Sequence, residues 1–150
     1  MVKKLDEKSG SWPDHLGWDL WLASLAWQRD FVSGMRAAGH SWMSEARATL
    51  LGHIPMEGIA QAALMTRMGT TKQAVQQLVD GLEAEGIVHR LPDPKDRRAR
   101  RVAYTEKGRE ALEDANRIKA DIESRYRARL GGELHGALKT ALALIVQKER

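Results

Sequence analysis

The sequence predicts a mainly α-helical protein with one small β element, and three observations carry that prediction. Apolar residues recur at helical spacing through most of the 150 residues, as in Val75, Leu78, Val79 and Leu82. Only Ile87 to Leu91 (IVHRL) and Arg101 to Thr105 (RVAYT) read as short strands, and the PDPKDRRAR segment between them is too long and too rich in Pro and Asp for a two-residue hairpin. It reads as a projecting loop. Between Gly58 and Gly86, two short helical patterns meet at Gly69, which is the spacing of a helix-turn-helix.

The length suits one domain with its own core and is too short for two. Lys and Arg number 24 against 20 Asp and Glu, a net charge of +4, which by itself is weak evidence for a nucleic-acid partner. The chain has no cysteine, which excludes disulfides, a cysteine nucleophile, a thiolate metal site and a thiol switch. MVKKLDEKSGSWPD carries positive charge with no apolar segment behind it, and no later stretch is apolar enough to span a bilayer. A soluble cytoplasmic protein with no membrane association is the default expectation.

From His15 to His40 the chain reads as a long helix, with Pro13 near its start and Gly39 near its end. Leu16, Leu20, Trp27 and Phe31 share a stripe that Trp18, Trp21, Leu22, Leu25 and Val32 widen beyond one buried face. Such a helix packs on two sides. The tryptophans then serve either as core and interface anchors or as walls of a pocket for a small ligand. Ser44 to Gly52 is a short helix carrying Ala46, Ala48, Leu50 and Leu51, and His53-Ile54-Pro55 turns the chain. His53 and Glu57 do not make a metal pair, because Pro55 and Gly58 break the helical spacing a pair would need.

Ile59 to Gly69 reads as the first helix of the helix-turn-helix, with Ile59, Ala60, Ala63 and Leu64 on one side. Thr70 is a candidate N-cap for the second, with Gln73 at capping-box distance. Val75, Leu78, Val79 and Leu82 pack one face of that helix, leaving Lys72, Gln73, Gln76 and Gln77 on the other. No Asp or Glu occurs between Glu57 and Asp80, whereas Arg67 and Lys72 do, so the helix start offers positive charge and N–H donors without repelling phosphate. Gln can pair with the major-groove edge of adenine, and Thr can meet a base edge or a thymine methyl. The bland account of the same residues is an ordinary solvated helix face.

Gly86 can end the helix. In the loop region that follows, Arg90, Lys95, Arg97, Arg98, Arg100 and Arg101 stand against Asp93 and Asp96, so the positive field is local. Thr105 can cap a further helix along which Ala111, Ala115, Ile118, Ile122 and Tyr126 form a stripe. Gly131-Gly132 breaks it before a last helix bearing Leu134, Leu138, Ala141, Leu142 and Ile145. The terminal helices either pack only on their own subunit or meet a partner.

TKQAVQQLVDGLEAEGIVHRLPDPKDRRARRVAYTEKG resembles the core of the MarR family of bacterial transcription regulators, most specifically in DPKDRRAR followed by TEKG. The likeness runs from the Trp-rich first helix to the C-terminus. It implies a winged helix-turn-helix core, residues 44–104, flanked by dimerisation helices at 12–40 and 105–150, within one domain spanning 1–150. It implies a homodimeric repressor on a pseudo-palindromic operator in double-stranded DNA, relieved in many members by a small aromatic compound bound between the dimerisation helices and the winged unit. Tyr104 stands where the family more often has Leu, and Gln61 is a polar choice in the first helix of the motif.

On this reading Thr70, Thr71, Lys72, Gln73, Gln76 and Gln77 face the major groove, and Arg97, Arg98 and Arg100 of the wing approach the minor groove, where narrow A·T-rich stretches attract arginine. An acid beside DNA is unfavourable, so Asp96 is expected to hold a neighbouring wing arginine by an ion pair. The sequence names no effector residues and calls for no cofactor or metal. No nucleophile elbow, phosphate-binding glycine loop or His/carboxylate cluster at catalytic spacing points to an enzyme. The alternative is a winged-helix protein-interaction module without DNA binding, whose signature would be acids or large apolar groups on the exposed helix face.

Overall fold

The computed structural model describes residues 14–147, so Pro13 lies outside the described residues. Within that range the elements run α1 (Leu16–Ala37), α2 (Glu45–Gly52), β1 (Ile59–Ala60), α3 (Gln61–Met68), α4 (Lys72–Ala84), β2 (Val88–Pro92), β3 (Arg100–Tyr104), α5 (Glu106–Leu130) and α6 (Gly132–Val146). Four helix starts are closed by a side chain that accepts an orphan N–H: His15 from Trp18, Ser44 from Arg47, Thr71 from Ala74 and Thr105 from Gly108. The cap of α4 is thus Thr71, one residue later than Thr70, and the Thr70–Gln73 box does not form. Gly69 ends α3 in the left-handed region at φ 61°, and Thr70 is used up in the bend that follows.

The sheet has the order β1-β3-β2, all antiparallel. Ile59 and Ala60, read from sequence as helix, instead pair with Val102 and Arg101 of β3, and the helix starts at Gln61. Ala63 is consequently exposed, while Leu64 is fully buried. The two wing strands also sit one residue away from their expected bounds. Ile87 belongs to the end of α4, where its N–H reaches the Leu82 carbonyl and that of Gly86 reaches Glu83, a Schellman closure with Gly86 left-handed. Thr105 belongs to α5 as its cap.

One continuous core joins these layers. Ile59, Val88 and Val102 from the sheet meet Leu64, Val75 and Leu82 from the helix pair. The same cluster continues through Leu50 and Leu51 to Phe31 and Met35 of α1 and to Ala111, Ala115 and Ile122 of α5. The turn after α1 is pinned to α5 by a 2.7 Å contact between His40 Nε2 and an Asp114 carboxylate oxygen. No polar or charged residue among the described residues is buried in the core.

The ends of the chain differ from this centre. On α1 only Phe31, Val32 and Met35 are buried, all in its last two turns, and Leu16, Trp21 and Leu22 are exposed. On α6 nothing is buried, although Leu134, Leu138, Leu142 and Ile145 all lie there. What visibly ties α6 to α5 is a cluster in which Glu123 takes a 2.9 Å hydrogen bond from Lys139 and lies 3.5 Å from His135. The Lys139 bond and charge hold the Glu123 carboxyl below its usual range. No described helix is long and apolar enough to cross a membrane.

Candidate nucleic-acid interface

The start of α4 is an exposed polar surface. Thr70, Thr71, Lys72, Gln73 and Gln77 are exposed and Gln76 is half-buried, while Val75, Val79 and Leu82 on the other side are completely buried. The Thr71 oxygen accepts the Ala74 N–H at 3.1 Å, so its own hydroxyl hydrogen stays available to an acceptor outside the protein. No acid occupies the first turn of the helix. Arg67, the other cation nearby in sequence, spends part of its donor set on the His53 carbonyl at 3.3 Å.

The wing is built by its aspartates. β2 and β3 pair from Val88 with Tyr104 to Pro92 with Arg100. Beyond that pair the Asp93 N–H reaches the Ala99 carbonyl, and that of Ala99 reaches Asp96. Asp93 accepts the Lys95 N–H and Asp96 the Arg98 N–H, each at 2.9 Å, two side-chain turns that fold the loop back on itself. The ion pair expected for Asp96 is therefore replaced by a backbone hydrogen bond. A carboxylate one methylene from the backbone reaches an amide two positions on more easily than it reaches a long flexible guanidinium. Arg97, Arg98 and Arg100 are exposed and form no ion pair among the described residues.

Arg90 departs from the reading of a uniformly free positive field. Its guanidinium pairs with Asp80 at 2.7 Å and Glu83 at 3.1 Å on α4, and donates to Gln61 Oε1 at 3.0 Å at the start of α3. Glu83 also accepts the Arg90 backbone N–H at 3.0 Å. The polar residue at 61 thus has a structural use: it completes a clamp that fixes the base of the wing relative to both helices. Arg101 is likewise engaged, donating to the Glu57 carbonyl at 3.1 Å.

Behind this surface lies a cavity of about 260 Å³ between α1, α2 and α5. Trp27, Phe31, Trp42 and Leu112 give it apolar walls, Tyr104 borders it and Lys119 stands at its edge. Trp27 stacks on Phe31 at 5.4 Å, and Lys119 Nζ sits 5.6 Å from the centre of the Phe31 ring. Tyr104 donates its hydroxyl to the Leu51 carbonyl at 2.8 Å and lies 3.2 Å from that of Ile54, and burial pushes its pKa up to about 12. Of the first-helix tryptophans only Trp27 lines the cavity; Trp18 and Trp21 lie against each other nearer the exposed end of α1. Sequence reasoning did not find Trp42, Tyr104 or Lys119 as cavity residues; they come from the turn after α1, from β3 and from α5 and share no spacing. Among the described residues no group of three His, Asp or Glu could hold a metal ion.

Helix pair, glycine turn and aspartate-folded hairpin define a winged helix-turn-helix protein. A model of the MarR family matches residues 43–99, the winged segment itself. The transcriptional regulator HosA of Escherichia coli O111:H- is 34% identical over 76 residues, a match that covers 51% of this chain and spans 56% of that relative's length. Among solved structures, the transcriptional repressor CouR bound to a 23-mer DNA duplex is similar over 97% of this chain and 99% of its own, at 26% identity and a TM-score of 0.69. Wild-type apo MarR from E. coli is similar over 91% of this chain and 99% of its own, at 20% identity and a TM-score of 0.75. The likeness to the MarR family model is thus confined to the winged segment, and the likeness in fold extends over nearly the whole chain.

Proposed function

We propose that the protein is a sequence-specific DNA-binding transcription regulator: a cytoplasmic homodimeric repressor of the MarR type that binds a pseudo-palindromic operator and is released by a small aromatic ligand. The observation that carries the reading is the pairing of an acid-free, exposed start of α4 with a loop whose arginines are left unpaired by its own aspartates. Thr70, Thr71, Lys72, Gln73, Gln76 and Gln77 enter the major groove, with the α4 N-terminus near a phosphate. Arg97, Arg98 and Arg100 follow the backbone into the adjoining minor groove, and Asp96 keeps the loop folded so that they project. A structural neighbour, the repressor CouR, is seen on a DNA duplex, which supports the same partner here.

Residues 44–104 are the reading unit, and 12–40 with 105–150 pair the subunits. Support comes from apolar surface that the single protomer leaves open on α1 and α6. A second copy related by a twofold axis covers such a surface and sets two recognition helices about one DNA turn apart. The cavity supports the ligand: it is apolar, aromatic-walled and has a cation at its edge, which fits a small aromatic acid. The test is a mobility-shift titration on DNA upstream of the protein's own gene at two salt concentrations. Binding that weakens with salt is the expected result; no binding to duplex even at low salt overturns the proposal.

A further inference from the structure

Arg47 of α2 touches both the wall of the cavity and the last turn of the recognition helix. Its Nη1 donates to the Trp42 carbonyl at 2.8 Å, and Trp42 lines the cavity. Its Nη2 lies so close over Gly81 of α4 that a Cβ at that position would stand 2.6 Å from it. The same guanidinium is 3.9 Å from a Glu85 carboxylate oxygen at the C-cap of α4. A glycine inside a helix is unfavourable relative to alanine, and here its missing side chain makes the room that Arg47 occupies.

We propose that Arg47 is a positioning residue that couples occupancy of the cavity to the placement of α4. The inference rests on the reading of the cavity as an effector site and of α4 as the helix that reads DNA. A guanidinium is a rigid planar fork, so its two ends cannot move independently. A ligand that shifts Trp42 or the neighbouring Thr49 draws the fork off Gly81 or presses it against α4. The opposite side of α4 is tied to α3 and β2 through Arg90, so a push from Arg47 tilts the helix against that clamp. Coupling of this kind is reciprocal: whatever moves α4 must also be felt at Trp42.

That reciprocity gives a test that needs neither ligand nor DNA. Gly81→Ala in the full chain displaces the flexible end of Arg47 while favouring the helix, so the fold is retained, as circular dichroism verifies. In protein labelled with 5-fluorotryptophan, with Trp42 assigned through Trp42→Phe, Gly81→Ala shifts the Trp42 fluorine resonance more than that of any other tryptophan. In an Arg47→Ala background the same substitution leaves it unmoved. A stationary Trp42 resonance in Gly81→Ala, or an equal shift without Arg47, overturns the proposal.

A second arm uses 1-naphthoate as the probe. Saturating probe weakens duplex binding by about tenfold in the parent protein, and in Arg47→Met the factor falls to about 1 with probe affinity, read by tryptophan quenching, unchanged. An undiminished factor in Arg47→Met also overturns it. If the parent protein binds DNA and ignores the probe, the effector reading fails by itself, and the fluorine experiment alone decides whether Arg47 links Trp42 to α4.

Discussion

Tyr104 is a residue whose identity the structure explains through its hydroxyl. Its O–H closes the loop after α2 by reaching the Leu51 carbonyl, and burial raises its pKa from 10.0 to about 12. Because the folded value lies above the unfolded one, the contribution to stability is complete below pH 10 and is lost as pH climbs through about 12. Tyr104→Phe should cost about 1 kcal/mol, since Leu51 keeps a second partner in the Ile54 N–H, and should remove that alkaline loss. Urea titrations between neutral pH and pH 11 check both; parallel stability curves for the two proteins would contradict the assignment. On the exposed face, Gln73→Ala should relax preference at particular bases by about 1–3 kcal/mol, and Arg97→Ala should weaken binding to all duplexes and lower the salt slope by about 1. Titrations on specific and random duplex at several salt concentrations separate the two behaviours.

Among the elements, the wing was the most legible from sequence and its fastening the least. Its strands alternate and its loop is rich in turn residues, both local properties that appear in the order of residues. The fastening depends on Arg90 meeting Asp80, Glu83 and Gln61, residues up to 29 positions away, and no periodicity announces such a meeting. Strand β1 escaped for a related reason: two residues have no period to detect, and only the free edge of β3 makes them a strand. Arg90→Met should cost only about 1 kcal/mol in global stability, because its acidic partners are largely exposed. It should nevertheless speed amide exchange in β2 and β3 well beyond that in α5. Uniform exchange across the protein would mean that the clamp does not hold the wing.

At the scale of the whole molecule the question is what covers α6. Its leucines are exposed although the helix carries an apolar row, and the Glu123 cluster links it to α5. Surface ion pairs of that kind contribute little, so under the proposed dimer the partner surface supplies most of this helix's order. Leu138→Glu, alone or with Leu142→Glu, should leave the protomer core intact and convert a dimer into monomers with duplex affinity reduced by orders of magnitude. Sedimentation and mobility shifts read the two effects; a monomeric parent protein would remove the basis for a twofold operator.

The order of residues by itself determined the helices, the glycine turn, the acid-free start of α4 and the arginine-rich loop, because each rests on neighbours within a few positions. The cap lies one residue later than expected, at Thr71 instead of Thr70, because the left-handed Gly69 places Thr70 in the bend. Only the tertiary structure decided that Asp96 binds a backbone amide, that Arg90 is spent on a clamp, that a cavity opens between Trp27 and Trp42, and that Arg47 spans from its wall to Gly81. These are meetings of side chains from distant parts of the chain, and they are fixed by how the helices pack, which spacing along a sequence does not encode.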